Sequence, residues 1–188
     1  YVPEYLEERS KDLHFPHRLI IPNEFGGAMD EATFMPWINL QKEFKALGRD
    51  YEIPFESYTV ELGSEEVISL QEAETDLTYI LNYLHHRGMI ENPPLKAAES
   101  KQFKCKLADY KTYYAPRGAL YDYIVGPGEV FKKGDVLAVG LNFENLYKNE
   151  PVRFDLLAME DGIMINQFPS SSVPSGAELL QVMENYYT

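Results

Sequence analysis

The sequence predicts a mixed α/β region over residues 1–100, followed by an all-β region over residues 101–188. Three observations predict this division. In the first region, short apolar runs alternate with segments whose apolar residues recur at helical spacing. Near residue 100 the chain turns polar, with Pro93-Pro94 and then Lys96 to Gln102 reading as a linker. From Phe103 onward the helical period fades, and strand-like runs broken by Gly, Pro and Asp take its place.

Taken in order, Val2 to Leu13 reads as a helix. Pro3 suits a first helical position, and Glu4, Glu7 and Glu8 favour the positive end of a helix dipole. His14-Phe15-Pro16-His17 follows. Pro16 keeps the two imidazoles off one helical face, and no third ligand stands at motif spacing, so loop histidines are expected. Arg18 to Pro22 is an apolar run closed by proline, which fits a buried strand of a mostly parallel sheet. Asn23 to Asp30, with Gly26-Gly27, reads as a loop at the strand end where open sheets build their sites.

Pro36 to Leu47 reads as a helix with Gly48 after it. Its stripe of Trp37, Leu40, Phe44 and Leu47 is expected to pack in the core. Arg49 to Ser57 connects to Tyr58-Thr59-Val60-Glu61-Leu62-Gly63, an alternating run that predicts a short strand ending at glycine. Glutamate is a poor strand former, so Glu61 is either a solvent-facing residue at a strand end or a rigidly held general base. Ser64 to Val67 reads as a loop. Ser69-Leu70-Gln71-Glu72 is a capping box that opens a helix through about Arg87, with Leu70, Ala73, Leu77, Ile80, Leu81 and Leu84 as its apolar stripe. His85 and His86 diverge on that helix and suit the negative end of its dipole.

The β-rich region repeats itself. Ala115 to Leu120 is answered by Ala158 to Ile163, and Val130 to Leu137 by Val173 to Leu180. Each unit reads as strand, turn, strand, turn, strand, and neither could bury its apolar face alone. The Lys132-Lys133-Gly134-Asp135 segment reads as a turn, not a phosphate loop.

With 45% hydrophobic and 25% charged residues in 188, the chain has material for a sizeable core. The net charge of -13 disfavours nucleic acid and anionic membranes as partners. No stretch approaches the roughly 20 apolar residues of a membrane-spanning helix. The single cysteine, Cys105, cannot form an internal disulfide and points to a cytoplasmic home. The chain opens at Tyr1 without methionine or a signal-peptide pattern, and further chain is expected upstream.

Thr59-Val60-Glu61-Leu62-Gly63 before a helix resembles the catalytic-glutamate segment of the succinylglutamate desuccinylase/aspartoacylase family. The run Ile20-Ile21-Pro22-Asn23-Glu24-Phe25-Gly26-Gly27-Ala28-Met29-Asp30-Glu31-Ala32 is similar to a segment of the same family. The resemblance covers nearly all of this chain but only the later part of the family's. It implies a partial carboxypeptidase-like α/β sheet domain, a zinc cofactor, and a small-molecule N-acylated substrate. Glu61 is implied as the catalytic acid/base. The family's first two zinc ligands come from a His-x-x-Glu segment, and none of the four histidines here has Glu three residues later. The third ligand follows an Asp-Leu pair; Asp12-Leu13-His14 imitates it in the wrong place. The zinc ligands are therefore expected upstream of this chain, with no metal-binding residue in it and the chain inactive alone.

The repeat resembles the biotinyl/lipoyl-type barrel-sandwich domain, whose carriers bear a modified lysine beside a methionine. The join Leu141 to Glu150 holds Lys148 but no Met-Lys pair, so a solvated lysine is expected. In the deacylase family, a β-rich domain of this kind follows the catalytic one, and the resemblance implies either that it restricts which substrates enter or that it serves as structural support. The other reading from sequence is a non-catalytic binding or scaffold module built on the β-rich region. A homo-oligomer is compatible with either.

Overall fold

The computed structural model describes residues 1–63, 68–92 and 101–188. The chain divides into two units, Tyr1–Leu107 (with Thr188) and Ala108–Tyr187. The expected linker residues 93–100 and the expected loop 64–67 lie outside the described residues.

The first unit is built on a three-stranded parallel sheet. β1 (Val2–Pro3) pairs with β2 (His17–Ile21), and β2 pairs with β3, Phe103–Lys106. Both faces of β2 are covered, which explains its unbroken apolar run. Ile20 packs with Val2 and Leu6 on one side. Ile21 packs with Phe34, Met35, Ile38 and Ile53 on the other. Cys105 is fully buried on β3.

Two expectations are corrected here. Val2 to Leu13 is not a helix. It is β1 followed by two 3-10 segments, Glu4–Leu6 and Arg9–Leu13. Pairing of Val2 and Pro3 with Ile20 and Ile21 extends the backbone where local propensity favours helix. The boundary between units lies after Leu107 rather than near residue 100, because β3 belongs to the first sheet through its ladder with β2.

α1 (Met35–Ala46) and α2 (Leu70–His86) form where the periodicity predicts them. The Glu72 N–H donates to Ser69 Oγ at 3.2 Å, closing half of the capping box. Their faces differ from expectation. α1 buries Met35 and Ile38, while Trp37, Leu40 and Leu47 of the predicted core stripe are exposed. α2 buries Tyr79 and Asn82, while Leu70 and Leu77 are exposed.

What fixes α2 against its own unit is polar. Glu56 accepts hydrogen bonds from the hydroxyls of Tyr58 (2.9 Å) and Tyr83 (2.7 Å) and from Arg87 Nε at 3.1 Å. Arg87 Nη1 also donates to Asp12 at 2.9 Å. Burial pushes the Glu56 carboxyl up, but the Tyr83, Tyr58 and Arg87 bonds together outweigh it and hold the group below its ordinary value. A depressed carboxylate contributes stability that is present above its ordinary pKa and is lost as pH falls through the folded value. Glu56→Gln is expected to cost about 2 kcal/mol at neutral pH, the scale of hydrogen bonds to a charged group. It should also flatten the acid limb of a stability-against-pH curve measured by urea unfolding.

The second unit holds two four-stranded antiparallel sheets. Its strands are β4 (Tyr110–Tyr114), β5 (Ala119–Tyr123), β6 (Val130–Phe131) and β7 (Val136–Leu141), then the short helix α3 (Asn145–Lys148), then β8 (Arg153–Leu157), β9 (Gly162–Gln167), β10 (Ser172–Val173) and β11 (Glu178–Glu184). One sheet runs β10-β5-β7-β8 and the other β4-β11-β9-β6. They share one core, to which Tyr121 and Leu137 come from the first sheet and Phe131, Met164 and Val182 from the second. No closed barrel forms among the described residues.

The sequence repeat maps onto this topology. β5, β6 and β7 of the first unit of the repeat correspond to β9, β10 and β11 of the second. The short strands trade places: β6 pairs with β9, and β10 pairs with β5. β4 likewise pairs with β11, and β8 with β7. Phe131 stands opposite Gly162 in the ladder, and a Cβ at Gly162 would lie 2.5 Å from the Phe131 ring and 2.9 Å from the Met183 carbonyl oxygen. Only glycine leaves room for that ring. Lys148 is exposed at the end of α3.

Candidate functional site

Glu61 sits in a segment without regular secondary structure that forms no strand ladder among the described residues, which corrects the predicted strand. Its anchor is one residue pair. The Tyr1 N–H donates to the Thr59 carbonyl at 2.7 Å, and the Thr59 N–H donates back to the Tyr1 carbonyl at 3.2 Å. Tyr1 leads directly into β1, so this exchange hangs the Glu61 segment beside the parallel sheet. Ser57 Oγ donates to Thr33 Oγ1 at 2.9 Å and ties the same segment to the 3-10 turn Met29–Thr33.

The loop after β2 is organised by a buried carboxylate. Glu31 is 1% exposed, and its oxygens accept from the Gly26 N–H at 3.0 and 3.1 Å and from the Gly27 N–H at 3.0 Å. Gly27 has φ +96°, a conformation that favours glycine. Removing the acceptor strands two backbone donors. Glu31→Ala is expected to lower stability by about 2–3 kcal/mol, the cost of lost charged hydrogen bonds at a buried site, measurable as a shifted urea midpoint.

These two segments meet at the Tyr1 side chain. Its hydroxyl is pushed up to about 12, first by burial and then by the charge and hydrogen bond of Glu61, with Asp30 adding a further negative charge. The result is an exposed carboxylate, Glu61, partnered by a phenol that stays protonated, with a second carboxylate nearby. Such a group can accept a proton from solvent and return it. Neither of the open clefts described on this unit, one beside Arg9 and Phe55 and the other beside Pro16 and Tyr79, is lined by Glu61.

The other polar candidates are engaged elsewhere or lie apart. His14 and His86 approach to 5.9 Å between ring centroids, and His17 stacks on Phe103. Arg18 donates to the buried Ser10 hydroxyl at 2.7 Å, Arg87 serves Glu56, and Arg117 covers the Phe154 ring at 4.8 Å. Among the described residues no group of three His, Cys, Asp or Glu is placed to hold a metal ion.

Comparison with solved structures gives these segments their context. A protein from Shewanella frigidimarina NCIMB 400, assigned as a succinylglutamate desuccinylase/aspartoacylase, is 40% identical with a TM-score of 0.88. The match covers 100% of this chain and 50% of that one. A protein of the same family from Shewanella amazonensis is 37% identical, with a TM-score of 0.88, over 100% of this chain and 51% of its own. The chain belongs to the succinylglutamate desuccinylase/aspartoacylase family. It spans about half the length of these relatives. The desuccinylase/aspartoacylase fold extends further, to the ectoine utilization protein EutE (DoeB) from Ruegeria pomeroyi, at 14% identity and a TM-score of 0.63 over 98% of this chain and 54% of that one. No protein-family model matches the chain, and no curated protein sequence does.

Within this chain, the sequence points to Glu61 and the glycine loop but not to Tyr1, Asp30 and Glu31. Asp30 and Glu31 were within reach, since both stand in the family-like run that ends at Ala32. Tyr1 carried no signal, because its proximity to Glu61 follows from the long-range backbone exchange between Tyr1 and Thr59. Among the described residues no helix is long and apolar enough to cross a membrane.

Proposed function

We propose that this chain is part of a zinc-dependent deacylase that hydrolyses an N-acyl amide or related bond of a small amino-acid-like substrate, with Glu61 as the general acid/base. The supporting observation is the placement of Glu61: an exposed carboxylate bonded to a protonated phenol, beside the loop that follows β2, in a chain of this family. In that role the Glu61 carboxylate takes a proton from the attacking water and delivers it to the departing amine nitrogen. The Tyr1 hydroxyl fixes the carboxylate's orientation through its hydrogen bond.

The described residues do not fit a zinc site, since no three-ligand set is present among them, and no step here is routed through the metal. The ion implied by the family is assigned to residues that this chain does not contain. We read the second unit as a domain of the barrel-sandwich type, a reading supported by its two exchanged repeats on one core. A small-molecule substrate and a cytoplasmic setting suit the acidic surface and the single, buried cysteine. The test is release of free amine from N-acyl amino acids by this chain joined to the half of the Shewanella frigidimarina relative that it does not span. A folded, zinc-loaded protein that releases no amine from any of them would overturn the assignment.

A further inference from the structure

Both helices of the first unit carry apolar residues that the described residues leave largely open to solvent, although Trp37 touches the edge of Phe55 and Phe44 stacks on Tyr51. On α1, Trp37, Leu40 and Leu47 are 39%, 38% and 74% exposed, although they recur at the spacing of a buried face. On α2, Leu70 and Leu77 are 76% and 54% exposed, on the stripe that periodicity assigns to the core. Leu62, next to Glu61, is 52% exposed. Scattered exposed leucines need no explanation, but two helices that each turn part of a predicted core stripe to solvent do, while Phe44, Ile80, Leu81 and Leu84 of the same stripes are half-buried. The buried faces of the same helices rest on few apolar residues, Met35 and Ile38 on α1 and Tyr79 on α2.

We infer that these two stripes and Leu62 are a docking surface for the half of the family fold that this chain does not span. The occupant follows from coverage. Relatives 40% and 37% identical match this chain along its whole length and still have about half of their own chain left over. A half-domain of similar size has to bury apolar helix and sheet faces of its own, and an open α/β sheet offers its helices on both sides for that purpose. The inference stands on family membership and on the exposed stripes, and it is independent of the chemistry at Glu61.

Two experiments test it. The 188-residue chain is co-expressed with the complementary half of the Shewanella frigidimarina relative. A one-to-one complex is expected, with hydrogen exchange slowed over residues 35–47 and 70–81. Leu40→Glu and Leu77→Glu should each weaken the complex at least about tenfold, the effect of a charge in a desolvated interface. If the foreign half does not fold alone, the full-length relative serves instead. Glutamate at its positions equivalent to Leu40 and Leu77 should lower its melting temperature by several degrees, as burial of an unpaired charge does. Unchanged melting of both full-length variants overturns the inference, as does a complex indifferent to both substitutions, or slowed exchange over the stripes caused by pairing of this chain with itself.

Discussion

Glu61→Gln lowers amine release by roughly 10²–10⁴-fold in the completed enzyme, the range associated with removing a positioned general acid/base. Glutamine keeps the size and the hydrogen-bonding oxygen of glutamate but cannot take a proton at neutral pH. Substrate binding should change little, so the loss is expected in kcat rather than KM. A second readout is independent of turnover. Burial, the Glu61 carboxylate and Asp30 together raise the Tyr1 hydroxyl to about 12. Removing the Glu61 charge should bring that titration down toward the ordinary value near 10, seen as a difference in phenolate absorbance between variant and parent. A phenol with a raised folded pKa contributes stability that is complete below its unfolded value and is lost as pH climbs through the folded one. The alkaline loss of stability should therefore be shallower in Glu61→Gln. A variant with normal kcat and bound zinc would remove Glu61 from catalysis, whatever its effect on Tyr1.

Phe131→Ala is expected to cost about 3–5 kcal/mol, the range for truncating a buried aromatic ring. The ring is 1% exposed, stands over Gly162 where no side chain can replace it, and belongs to the core that both sheets of the second unit share. Alanine would leave a void bounded by a glycine, and the backbone there cannot close it. The loss should show as a lower urea midpoint for the second unit, with the first unit's α2 signals unaffected. A loss below about 1 kcal/mol would mean that the core repacks around the gap.

Much of the fold was legible because it is written in local period. β2 announced itself as an apolar run, α1 and α2 as helical stripes, and the second unit as a doubled pattern. What failed depended on distant partners. Val2-Pro3 looked like the start of a helix because acidic residues follow it, yet its partner is Ile20-Ile21. Phe103–Lys106 looked like the start of the β-rich region, yet its ladder is with His17–Ile20. The stripes on α1 and α2 were seen, but periodicity says only that a helix has an apolar side, not which neighbour covers it. The candidate site was half visible for the same reason. Glu61 stood out as an acid in an apolar alternation, whereas Tyr1 and Asp30 reach it only through the backbone exchange between Tyr1 and Thr59 and the turn that Glu31 holds.

The trading of strands between the two repeats has a consequence for biosynthesis. Tyr110–Tyr114 is the first strand of the second unit to leave the ribosome, and its ladder partner, Glu178–Glu184, is the last. No early hairpin can satisfy it, so this sheet waits until Glu178–Glu184 has been made, and closure is slow relative to a chain of nearest-neighbour hairpins. A nascent chain halted at the α3 junction would carry orphaned edges rather than half a working domain, exposed to chaperones and proteases alike.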